Sequence, residues 1–192
     1  MASLSKTLIS PQEYLERERK AEYKSEYLNG EVHAMSGARR AHILIESALV
    51  FGLNLALIDK PCEVYTSNMR VRVNPAGDYM YCYPDLTVTC EKPRFQDGEL
   101  DTLLNPLFLV EILSDSTEKR DRRVKAPLYQ KLESLQEFLF VSQHKPHVER
   151  FTRQPGGRWA SLEADGLNSS IQLVSLPVTL KLSEIYRQVE FS

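Results

Sequence analysis

The chain has 192 residues, 42% of them hydrophobic, with 24 basic against 26 acidic side chains. That is enough for one domain (1–192) with a substantial core, and too balanced in charge for a protein that coats nucleic acid, so any polyanion contact must be local. Met1–Lys6 lacks an apolar signal core and no stretch approaches the roughly 18 apolar residues of a membrane span, so a cytoplasmic protein with no membrane partner is expected. Three cysteines, Cys62, Cys82 and Cys90, are odd in number and lack metal-ligand spacing, and they read as reduced core residues.

Ser10-Pro11-Gln12-Glu13 opens a helix, with Ser10 as cap and Pro11 at the first helical position. Tyr14 to Lys24 extends it. Asn29-Gly30 supplies the positive φ of a hairpin turn, followed by a strand from Glu31 to Met35. His42 to Ile58 carries apolar residues mostly on a helical period and is the long helix. Val64 to Val73 alternates as a strand, Asn74 to Asp78 turns, and Tyr79 to Cys90 returns antiparallel. Glu91 to Pro106 has no periodic signal and reads as a surface loop. Leu107 to Leu113 is an apolar run of strand length, hence a central strand covered on both faces. Pro127 is tolerated only in a first helical turn, which places the next helix from Arg123 to about Glu133, capped by Asp121, with Lys125 at its positive end. Strands follow at Leu135–Ser142, His147–Arg153 and Trp159–Leu162, then a β-rich stretch from Ile171 and a final helical turn from Ser183. The order gives an α+β fold in which the crossover helix makes the strands at 107–113 and 135–142 parallel.

One acid interrupts the apolar central run. An ionised Glu111 costs several kcal/mol, by rough estimate, unless a cation, hydrogen bonds or a wet cleft compensates it. Asp85, just after Pro84, is its companion on what should be the neighbouring strand. Two carboxylates at one end of a sheet, with the backbone carbonyl of Ile112 as a third donor, make a hard-oxygen site suited to Mg²⁺ or Mn²⁺. An ammonium such as Lys125 beside it would orient or activate a water. The bland alternative is a pair of solvated strand-end acids.

Tyr83-Pro84-Asp85, Leu109-Val110-Glu111-Ile112-Leu113-Ser114, Ser116-Thr117-Glu118, Asp121-Arg122, Lys125, Tyr129 and Ser134–Phe138 together resemble the Uma-type restriction-endonuclease-like proteins of the PD-(D/E)xK nuclease superfamily. The likeness runs from Asn29-Gly30-Glu31 through His42 to Leu182–Tyr186. It implies an αβββαβ endonuclease core with a mixed sheet, an N-terminal helix and hairpin and a C-terminal β extension. It further implies Asp85 and Glu111 as metal ligands and hydrolysis of phosphodiester bonds in DNA. The superfamily's lysine two residues after the acid is Leu113 here, and Lys125 matches a lysine that similar members carry on the following helix. Glu31 matches a recurrent acid of the family and is an accessory candidate against a solvated hairpin acid. His42 contacts phosphate or caps its helix. A catalytically silent nucleic-acid-binding or regulatory protein of the same fold is the competing reading, and the apolar β-rich tail suggests a homodimer or higher homo-oligomer.

Overall fold

The computed structural model describes residues 8–73, 77 and 79–191; the expected turn at 74–78 and the opening segment lie, in all but Gly77, outside the described residues. Helix α1 spans Pro11–Glu18, where Ser10 Oγ accepts the Glu13 N–H at 3.1 Å as the capping pattern requires. It ends well short of Lys24, because Glu18 turns inward and accepts the Ser25 N–H at 2.8 Å. Strands β1 (Ser25–Leu28) and β2 (Glu31–Ala34) then pair antiparallel about Asn29 and Gly30, both at positive φ. Helix α2 (Arg40–Ala56) buries Ile45, Leu49 and Leu53 along one stripe. Each such side chain stabilises the fold by about 1.5–3 kcal/mol through removal from water.

The two long strands expected next are each broken, and the breaks make the architecture. The first divides at a turn in which the Met69 N–H bonds the Thr66 carbonyl, leaving β3 (Glu63–Thr66) and β4 (Arg70–Val73). The second divides at Tyr83-Pro84-Asp85 into β5 (Met80–Cys82) and β6 (Leu86–Thr89). Pro84 has no N–H to give to a ladder, and a proline inside a strand pattern marks such an interruption. Strand β7 (Thr102–Leu103) lies within the stretch expected to be loop and pairs parallel with β4, while β8 (Phe108–Leu113) is the central strand foreseen.

The crossover begins earlier than expected. It runs as α3 (Glu118–Arg120), a π-helical turn (Asp121–Lys125) and α4 (Ala126–Tyr129). In the π turn the Ala126 N–H reaches back to the Asp121 carbonyl. The wider spacing accommodates Pro127, whose ring would otherwise meet the carbonyl four residues before it. Thr117, not Asp121, is the residue preceding the helix, and Lys125 sits mid-run rather than at a positive helix end. Then come β9 (Glu137–Ser142), β10 (His147–Arg153), β11 (Trp159–Asp165), β12 (Ser170–Gln172), β13 (Thr179–Lys181) and α5 (Leu182–Ile185).

Among the described residues the strands form three sheets, in the orders β2-β1-β5-β4-β7, β11-β10-β9-β8-β6-β3 and β12-β13. Strands β8 and β9 are parallel, as the crossover requires, and β6 runs antiparallel to β8. Alternation along β8 sends Phe108, Val110 and Ile112 to the cluster beneath α2, and Leu109 and Leu113 to a second cluster with Tyr129, Phe138 and Phe140. Glu111 shares the face of Leu109 and Leu113, so it points to the crossover helices. The expectation of three reduced cysteines is corrected: Glu63 pairs with Thr89 across β3 and β6, setting residues 62 and 90 opposite each other, and Cys62 and Cys90 form a disulfide. Cys82 remains a buried thiol. Among the described residues no helix is long and apolar enough to cross a membrane.

Candidate active site

Asp85 occupies the crossing point between the two large sheets, immediately after Pro84 and before β6. The β6–β8 register pairs Leu86 with Val110, so Asp85 comes opposite Glu111 at the end of the ladder. The Ile112 N–H donates to Asp85 Oδ2 at 2.6 Å. The Ile112 amide thus holds the Asp85 carboxylate in place. His42, in the first turn of α2, places Nε2 at 3.0 Å from Asp85 Oδ1. Burial works against a charged imidazole there, yet the hydrogen bond and negative charge of Asp85 prevail and raise the ring's pKa above its usual 6.5. Asp85→Asn leaves burial as the dominant influence, so the His42 titration followed by NMR is expected to move from above 6.5 to below it. A midpoint unmoved by Asp85→Asn would separate the two residues.

Glu111 lies 4% exposed at the floor of a cleft of about 680 Å³. Its Oε1 accepts from Lys125 Nζ at 3.2 Å and from the Tyr129 hydroxyl. The same ammonium lies 2.8 Å from Glu26 Oε1 and 3.1 Å from Asp121 Oδ1. Glu26 also receives Arg120 at 3.3 Å. One ammonium thus faces three carboxylates. Burial pushes the Glu111 carboxyl well above the ordinary range, and Asp121, Asp85 and Glu26 add to this against the lowering by Lys125. Burial raises Asp121 as well. For Lys125 burial favours the neutral amine, but Glu111, Glu26 and Asp121 outweigh it and hold the group cationic.

The structure brings Asp85, Glu111, Lys125, His42 and Ile112 to one cleft. Glu31 is not among them. It starts β2 opposite Leu28, lies 3.4 Å from His33, and its side chain is 37% exposed. The acid that does reach the site is Glu26, two residues before Leu28 on β1. Its signal was the alternation Glu26-Tyr27-Leu28: Leu28 packs against the inner cluster, and Glu26 shares its face. Asp121, expected as a helix cap, is instead buried at 2% exposure beside Lys125.

The oxygens here suit a hard cation. Four carboxyl groups, Glu26, Asp85, Glu111 and Asp121, stand against three basic groups, Lys125, Arg120 and His42, so acids outnumber bases in the cleft. Among the described residues no three acid, histidine or cysteine side chains converge on one metal-sized point. A divalent ion would therefore take two carboxylates and complete its shell with backbone carbonyl and water, as Mg²⁺ commonly does.

A family model described as "Uma2: Putative restriction endonuclease" matches residues 11–184. Two uncharacterised proteins of Synechocystis sp. are similar over most of their lengths: sll1609 is 32% identical over 86% of this chain and 92% of its own, and slr1290 is 30% identical over 95% and 94%. A crystal structure from Anabaena variabilis, described as a "putative nuclease belonging to DUF820", superposes with a TM-score of 0.75 over 95% of this chain and 99% of that one, at 16% identity. The fold expected from sequence, α+β with a restriction-endonuclease-like core, is the fold found.

Proposed function

The chain belongs to the Uma2 family of restriction-endonuclease-like proteins, and from that premise we propose that the Asp85–Glu111 cleft hydrolyses phosphodiester bonds in DNA with Mg²⁺ or Mn²⁺. The observation that carries this reading is the excess of buried carboxyl groups over basic groups at the point where two sheets meet, with a charged lysine directed into it. Asp85 and Glu111, with the Ile112 carbonyl, would hold the cation. When bound, it supplies positive charge beside the scissile phosphate and acidifies a water.

The remaining roles belong to side chains. Lys125 carries its proton at neutral pH and its three N–H groups face Glu26, Glu111 and Asp121, so it acts as a fixed positive charge that holds the Glu111 carboxylate and stabilises developing negative charge through space, rather than accepting a proton from water. Tyr129 and Lys125 both bond Glu111 Oε1, which fixes the carboxylate and leaves its second oxygen for the ion. His42 holds Asp85 from one side while the Ile112 N–H holds it from the other. Glu26 and Asp121 position the ammonium. Lys125 thus performs from the crossover the task that a lysine at the Leu113 position would perform from the strand.

Supercoiled plasmid incubated with the purified chain in Mg²⁺ or Mn²⁺ is expected to become nicked or linear, and a chelator to stop it. The second reading, a silent DNA-binding fold, is favoured by Leu113, an apolar residue 3% exposed where the superfamily keeps its lysine. Intact plasmid under both metals, with DNA still bound, would decide for it.

A further inference from the structure

The proposed chemistry sits below its own rim. Glu111 and Lys125 are 4% and 5% exposed, whereas Tyr23 at the mouth of the same cleft is 80% exposed. Roughly 300–1,000 Å³ is the size of pockets that enclose small ligands, so a cleft of about 680 Å³ is scaled to nucleotides and not to a double helix. A duplex resists bending on the scale of about 150 bp, so carrying one of its phosphates into a recess requires the helix to deform. An unpaired strand escapes most of that deformation.

The walls differ in chemistry as such a ligand demands. One is formed by the α1–β1 connection and the segment after β2, locked together because the Met35 N–H donates to the Lys24 carbonyl at 3.0 Å. Lys24 is itself fixed, with Nζ 2.7 Å from the Ser67 carbonyl and 5.3 Å from the Tyr83 ring centre. This wall offers Tyr23 and Met35, an aromatic face and a thioether. The other runs from Ser114 to Arg120 and offers the hydroxyls of Ser114, Ser116 and Thr117 and the guanidinium of Arg120, which also pairs with Glu26 at 3.3 Å, beside the exposed carboxylate of Asp115. Arg39 stands at the same mouth with its side chain 80% exposed, 3.8 Å from Asp115 Oδ2 in a solvent-exposed pair that a phosphate can displace. Bases stack on aromatic rings irrespective of sequence, and phosphates accept from hydroxyls and guanidinium groups.

We propose that the cleft takes an unpaired DNA strand, with Tyr23 as the platform on which a base stacks while the Ser114–Arg120 wall receives the adjoining phosphates. This rests on the DNA-hydrolase reading above. Tyr23 determines substrate form and touches no reacting atom.

The test is fluorescence anisotropy of one labelled single-stranded DNA oligonucleotide and of the same sequence annealed as duplex, in Ca²⁺, with the wild type, Tyr23→Ala and Tyr23→Phe. Because the ring is at the surface, all three proteins are expected to melt alike. The single strand should bind at least about tenfold more tightly than the duplex. Tyr23→Ala should weaken it roughly 5- to 150-fold, and Tyr23→Phe should preserve it to within about threefold. If duplex and single strand bind equally, Tyr23→Ala changes nothing and plasmid is still nicked, the stacking proposal is overturned while the nuclease reading stands. If neither oligonucleotide binds and no DNA is cut, both are overturned. A matched RNA strand held more tightly than the DNA would overturn the choice of DNA.

Discussion

Lys125→Met is expected to lower the melting temperature by roughly 6–20 °C and to abolish DNA cleavage together. The Lys125 side chain is 6% exposed and lies within 3.2 Å of Glu26, Glu111 and Asp121, whose side chains are 6%, 5% and 2% exposed. Deleting one member of a buried ionic group leaves the others without compensation, which costs about 3–5 kcal/mol. For a chain of this length each kcal/mol shifts the melting point by about 2–4 °C. Part of the loss can be relieved by protonation, since burial already raises Glu111 and Asp121. The variant should therefore recover some stability in acid. Lys125→Arg is no substitute, because a planar fork cannot meet three oxygens around one nitrogen as an ammonium does. Calorimetry and plasmid nicking on the same samples check this. Wild-type melting in Lys125→Met would mean that the four charges are not coupled in solution.

The residues that made this cluster legible in advance were those that broke a local pattern. Glu111 is a lone acid in Leu107–Leu113, Asp85 follows a proline in an aromatic strand, and Lys125 looked misplaced on its helix. The reason for that last anomaly was wrong, since Lys125 lies at the end of a π turn and not near a helix start. A proline allowed only in a first turn is a rule for regular α-helices, and the i→i+5 bond to Asp121 suspends it. Glu26 was hidden because a short strand shows too few alternations to separate its two faces, and Glu31, beside the turn, drew the attention instead. The splitting of two strands was present in Ser67-Asn68 and Pro84 but was outweighed by the continuous alternation around them. The Cys62–Cys90 bridge depends on antiparallel register, which residue counting does not contain.

Glu111→Gln should give the opposite pattern from Lys125→Met: loss of cleavage without loss of the fold. The expected fall in rate is roughly three orders of magnitude, the scale of removing one group that stabilises the transition state. Affinity for Mn²⁺ measured by calorimetric titration should drop at least about tenfold. Stability should hold, because the amide oxygen can still accept from Tyr129 and the ammonium keeps Glu26 and Asp121. The pH dependence fixes the sign. A carboxyl whose pKa is raised in the folded chain contributes stability that is complete below its unfolded value of about 4.5 and is lost as pH rises through the folded value. Glutamine resembles the protonated form at every pH. The melting point of Glu111→Gln relative to wild type should accordingly climb as pH increases from about 4.5 toward neutrality. A residue that weakens the fold while serving the reaction is what a stability–activity trade-off predicts. Should Glu111→Gln melt many degrees lower with Mn²⁺ affinity intact, Glu111 would belong to the scaffold and the cation to other oxygens.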